Sequence, residues 1–143
     1  VTACPRCGFD SAAAVTAEWR FFIPVLPPTQ NYLKGMNRWA YKKLRDEFSQ
    51  WVQAKASGIP RATAKRRLTL IRFYARHRKE LDRANFIGGA KMLVDAIKAH
   101  GLLVDDSPRW VEDHYQQRRD EHLCGVEVVI EEIQPQPEGA TRP

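Results

Sequence analysis

The chain has 143 residues, 43% of them hydrophobic, and 23 Lys and Arg against 17 Asp and Glu give it a formal charge of +6. That length suits one domain burying about two-thirds of its unfolded surface, and it argues against a separate second core. No apolar run approaches the ~18 residues of a membrane span and no charged-then-apolar leader opens the chain, so a cytoplasmic address without a membrane partner is expected.

The excess of Lys and Arg favours an anionic partner such as nucleic acid. Three cysteines, an odd number, make no disulfide framework and fit a reducing compartment. Residues 1–15 read as a flexible segment around the knuckle C-P-R-C-G, in which Cys4 and Cys7 supply half of a tetrahedral Zn²⁺ site. The other ligands would have to come from Cys124 and His122, from a second subunit or from residues upstream. The alternative is a metal-free tail.

Trp19, Phe21 and Ile23 alternate with Glu18, Arg20 and Phe22, which predicts a first strand near 17–23. Pro24, Pro27 and Pro28 end it, so residues 29–37 are expected to form a loop in which Asn31, Lys34 and Asn37 could touch phosphates. Ala40, Leu44, Phe48, Trp51 and Val52 then mark a helix over 38–56. Trp39 and Tyr41 at its start are read as packing residues, with base stacking as the other reading.

Residues 66–76 combine high positive charge with a strand pattern, in which Thr69, Ile71 and Phe73 face one way and Arg72, Tyr74 and Arg76 the other. Arg72, Arg76, Arg78 and Lys79 are expected to form a basic track for DNA phosphates, against the alternative of a solvated edge strand. The stretch from Arg78 to Asp106 follows, and the rest of the chain is organised around it. Phe86, Ala90, Leu93, Val94 and Ile97 predict an amphipathic helix over 86–100, with Asn85 as its N-cap and Gly101 as its C′ residue. Lys91, Asp95 and Lys98 fall on a stripe beside the apolar one. Glu80 and Asp82 lead into the helix, and Asp105 and Asp106 follow it. Two or three converging carboxylates suit a hard divalent ion such as Mg²⁺ or Mn²⁺. Strands near 109–117 and 123–132 complete the chain, and the tail 134–143 reads as disordered.

The order acid-x-x-Asn, K-x-x-x-D-A-[IL], G-x-x-x-D-D, preceded by L-P-P-T-Q-N at Leu26–Asn31, resembles the RusA-like Holliday junction resolvases, Mg²⁺-dependent endonucleases of bacterial and phage origin. The resemblance spans roughly residues 17–133. It implies cleavage of four-way DNA junctions in recombination and repair by a homodimer. Carried over residue by residue, it makes Asp82, Lys91 and Asp106 catalytic, with Asp82 and Asp106 on the metal. By position alone, and not by the resemblance, Glu80 and Asp105 are candidate helper ligands, Asp105 with turn formation as its other role. Asn85 and Asp95 support the site, Asp95 through an i, i+4 pair with Lys91. Ala84 stands where the family has a second Asp of its D-x-D-N motif. A natively weakened site, a deliberately inactivated chain and replacement by Glu80 are three accounts of it. A branched-DNA-binding protein without cleavage is accordingly the alternative function.

The fold expected from all this is one mixed α/β (α+β) domain over residues 16–133. It has a single sheet of about four strands and two main helices.

Overall fold

Four nine-residue strands form one sheet in the computed structural model, which describes residues 14–134. They are β1 (Val15–Ile23), β2 (Arg66–Tyr74), β3 (Val111–Arg119) and β4 (Gly125–Ile133), in the spatial order β1-β4-β2-β3. β4 runs antiparallel to both β1 and β2, while β2 and β3 are parallel. A parallel pair needs a long crossover, and the helix α3 (Arg83–Ala99) supplies it. The mixed four-stranded sheet is therefore as the sequence predicts.

Two further helices precede β2: α1 (Gln30–Lys34) and α2 (Arg38–Lys55). The expected loop over 29–37 thus contains a helical turn. Thr29 caps it by accepting from the Tyr32 N–H at 3.1 Å, and Asn37 caps α2 through the Ala40 N–H at 2.9 Å. Pro24 follows the last residue of β1, and Pro27 and Pro28 precede this pair of capped starts without disturbing them.

The core lies between one face of the sheet and the helices. Phe48 and Val52 of α2 and Phe86, Ala90, Met92, Leu93, Ala96 and Ile97 of α3 meet Ile23, Leu68, Leu70, Val126, Val128 and Ile130 there. The second half of α2 supplies its buried residues, Phe48 and Val52, and Leu44 and Trp51 pack against the cluster half-buried. On the sheet's other face Ile71, Phe73 and Val129 form a small cluster with Phe22.

The helix α3 starts three residues earlier than the apolar periodicity implies, and its N-cap is Asp82 rather than Asn85. The Asp82 carboxylate accepts the Asn85 N–H at 3.1 Å, a bond that a side-chain oxygen at the N-cap makes to the third helical residue. At the other end Gly101, with φ +79°, reverses the chain. Its N–H bonds Lys98 O and the Leu102 N–H bonds Ile97 O, the paired arrangement of a Schellman ending. The anticipated role of Gly101 is met.

The strand β2 departs from expectation in kind. It is a central strand, and its three arginines are buried rather than displayed. Arg66, 1% exposed, donates to Leu102 O at 3.0 Å and to Glu132 Oε1 at 2.9 Å, and lies under the Trp19 ring. Arg67 pairs with Glu112 and Glu131. These are structural ion pairs in the sheet, where a guanidinium can satisfy several acceptors at once.

Candidate functional site at the start of α3

The C-terminal ends of β2 and β3, the N-terminal end of β4 and the helix α1 lie together at one end of the sheet, because β4 runs against β1 and β2. Into this end come residues 75–82, turned back by the Arg78 N–H to Ala75 O bond. Arg76, Arg78, Lys79, Glu80 and Asp82 are all exposed there. Arg76 approaches Glu121 at 3.8 Å on an open surface, a contact of little strength.

Two stretches far apart in sequence meet at the first turns of α3. The Asn31 N–H donates to Asn85 Oδ1 at 3.1 Å, so the Asn85 side chain holds α1 while its own backbone is held by Asp82. Gly88 and Gly89 allow the contact to be close. A Cβ on Gly89 would fall 1.7 Å from Pro28 O, and one on Gly88 would fall 2.6 Å from Gln30 Cδ. The P-P-T-Q-N segment is thereby fixed beside the acid of D-R-A-N.

A side chain that no motif announced holds the entry to this helix. Gln117 of β3 accepts the Leu81 N–H at 2.9 Å and donates to Leu81 O at 2.7 Å, pairing with that residue as another strand would. Arg72 sits opposite Gln117 in the sheet and donates to its Oε1 at 3.2 Å. Arg72 is only 4% exposed, so it supports the segment before Asp82 from beneath and is not part of a surface track for phosphates. Burial and then the positive charge of Arg78 lower its pKa, and its Nε has no partner among the described residues. The only sequence sign of Gln117 was a polar residue at an inward-facing position of a strand.

Asp106 lies elsewhere. Lys98, in the last turn of α3, approaches Asp105 at 3.8 Å and Asp106 at 3.7 Å. Sixteen residues separate Asp82 from Lys98, or about 24 Å of helix axis. The side chains involved cannot span that length, so within one subunit Asp82 and Asp106 do not reach a common ion. The expected convergence fails for a topological reason: α3 carries the chain from the C-terminal end of β2 back to the N-terminal end of β3. The Asp105 carboxyl is held below its ordinary range, chiefly by the backbone N–H of Asp106.

Lys91 is exposed and Asp95 half-buried, and no ion pair joins them. At 100° per residue Ala84, Lys91, Asp95 and Lys98 share one stripe of α3, with Ala84 about two turns before Lys91. Among the described residues there is no group of three or more His, Cys, Asp or Glu arranged to hold a metal ion. Asp82 has one carboxylate oxygen outside its bond to Asn85 and stands two residues after Glu80. Cys4, Cys7 and the tail beyond 134 lie outside the described residues, as does any zinc site built on the knuckle. Cys124 is exposed.

No protein-family model matches the sequence, and no curated protein matches it closely enough to name a relative. No helix among the described residues is long and apolar enough to cross a membrane.

Proposed function

We propose that this protein acts on branched DNA as a RusA-like, Mg²⁺- or Mn²⁺-dependent endonuclease that works as a homodimer and has a weakened metal site. The observation that carries this reading is the Asn31–Asn85 hydrogen bond, by which two separated stretches of the resemblance meet at Asp82. Lys34 follows Asn31 on α1, Arg78 and Lys79 precede Asp82 in the chain, and all three are exposed cations that suit the phosphate backbone.

In this reading Asp82, helped by Glu80, holds the ion, which when bound supplies an activated water and offsets charge on the scissile phosphate. Lys91 either binds a non-bridging phosphate oxygen or protonates the departing 3′ oxygen. Joint ligation by Asp82 and Asp106 would require Asp106 of a second subunit, because one subunit keeps them at opposite ends of α3. The homodimer then becomes a condition of that ligation as well as of symmetric nicking.

The separation of the acids, together with Ala84, also supports a second reading: a protein of the same fold that binds branched DNA without cutting it. Assaying the chain beside Ala84→Asp on a mobile four-way junction separates the two. Metal-dependent nicking that rises in Ala84→Asp supports the nuclease. Binding without nicking at any Mg²⁺ or Mn²⁺ concentration selects the binding protein, and absence of both removes the branched-DNA reading.

A further inference from the structure

The first half of α2 meets the core through one residue, Leu44. Of residues 38–47 only Leu44 is even half-buried, so the expectation that Trp39 packs into the fold is not met. Trp39 is 81% exposed, and Tyr32 on the preceding helix is 66% exposed. Large aromatic rings left this open forfeit burial that each could otherwise have gained.

On the N-terminal side of Leu44 their surroundings are cationic, and Asp46 and Glu47 follow one turn beyond Lys42 and Lys43. From Thr29 to Arg45 the chain holds five Lys or Arg and no Asp or Glu. All five are exposed, and among the described residues only Arg45 approaches an acid, at 3.9 Å from Asp46. On α2 the spacing puts Lys42 and Lys43 one turn from Trp39, and these three line a shallow recess of about 550 Å³ together with Asp46, Glu47 and Gln50 of the next turns. Tyr32 and Asn31 line a neighbouring recess with Asn37 and Ala40. Since Asn31 is bonded to Asn85, this surface is continuous with the start of α3.

The composition points to one kind of occupant. Lysine is depleted at the centres of protein interfaces, and no Leu, Ile, Val or Phe is exposed between residues 29 and 47 to enter a lipid surface. Open rings set among unpaired cations match single-stranded nucleic acid, whose bases offer stacking faces that a duplex hides between its pairs. We propose that α1 and the first half of α2 bind an unpaired DNA strand, with Tyr32 and Trp39 stacking on its bases and Lys34, Arg38, Lys42 and Lys43 meeting its phosphates. The proposal rests on the branched-DNA reading and specifies its substrate: a branch with an unpaired segment beside it. The acids Asp46 and Glu47 end the track by repelling phosphate.

The test measures binding of the full chain, without divalent metal, to labelled oligothymidylate, to blunt duplex and to a four-way junction. Trp39→Ala and Tyr32→Ala should each weaken oligothymidylate binding roughly tenfold, as loss of one base stack does. Duplex binding should hold within about twofold, since phosphate contacts remain. Trp39→Phe should recover most of the affinity, and Lys42→Ala with Lys43→Ala should reduce the salt slope by about 1.4. Because both rings are exposed, unchanged thermal unfolding confirms that the variants are folded. Unchanged oligothymidylate affinity in both aromatic variants overturns the stacking surface while junction binding keeps the branched-DNA reading. A wild-type chain that binds no DNA overturns both, and tighter binding to oligouridylate or anionic vesicles than to oligothymidylate overturns the DNA assignment.

Discussion

Gly89 of α3 and Pro28 approach so closely that a Cβ on the glycine would lie 1.7 Å from the proline carbonyl oxygen. The obstacle is backbone, so it cannot swing aside as the Gln30 side chain near Gly88 can. Gly89→Ala is expected to cost about 1–3 kcal/mol as an overpacking change. It should also loosen α1, which urea unfolding and hydrogen exchange at the Asn31 amide would show together. A variant as stable as the parent with an unchanged Asn31 amide would mean that this contact is looser than described.

The buried Arg66 makes a second expectation. Its guanidinium joins the chain after α3 to β4 through Leu102 O and Glu132, so Arg66→Ala leaves an acceptor unpaired and empties a large volume. A loss of about 3 kcal/mol is expected, from the unpaired Leu102 carbonyl and the cavity. Arg66→Met should lose less by keeping the volume under Trp19. Equal stability of the parent and both variants in denaturant would refute the role.

Much of the fold was legible because one-face periodicity is a direct consequence of burial. The stripe of α3 and the alternation in β1 and β4 both identified the core side. What misled was β2, where arginines looked like a solvated surface. Apolar residues on both of its faces, Leu68 and Leu70 against Ile71 and Phe73, are the pattern of a central strand, and the arginines find acceptors inside the sheet. The site was legible only in part. Spacing placed Asp82, Lys91 and Asp106 in chain order, but which end of the sheet each reaches depends on strand order and direction. Gln117 and the Asn31–Asn85 bond arise from pairings no local pattern encodes.

Asp120 gives an expectation in pH. Its carboxylate accepts the N–H groups of His122 at 2.8 Å and Leu123 at 2.9 Å, and these bonds hold its pKa below the ordinary range. A depressed folded-state pKa means stability that is fully present above the unfolded value of about 3.9 and is lost as pH falls through the folded value. Asp120→Asn should therefore melt lower than the parent near neutral pH, and the gap should close below about pH 4. A gap that stays constant with pH would assign the effect to shape rather than charge.

The last expectation concerns how Asp82 is held. Gln117 bonds both polar groups of the Leu81 backbone, and Arg72 fixes the Gln117 amide from below. Gln117→Leu removes both bonds and leaves the two Leu81 groups with water or nothing, for a loss of about 1–3 kcal/mol. Gln117→Glu keeps the volume and an acceptor for the Leu81 N–H but sets a carboxylate against Leu81 O, with Arg72 as its counter-charge. Both changes should speed hydrogen exchange at Leu81 and at Asn85, the amide that Asp82 accepts, while core amides of β4 slow or quicken only with global stability. If the protein nicks junctions, both variants should lower the rate at saturating DNA more than they weaken DNA binding, because the acid is displaced while Lys34 on α1 and the cations of α2 are not touched. Unchanged exchange at Leu81 in Gln117→Leu would show that the segment before Asp82 is held by something other than this side chain.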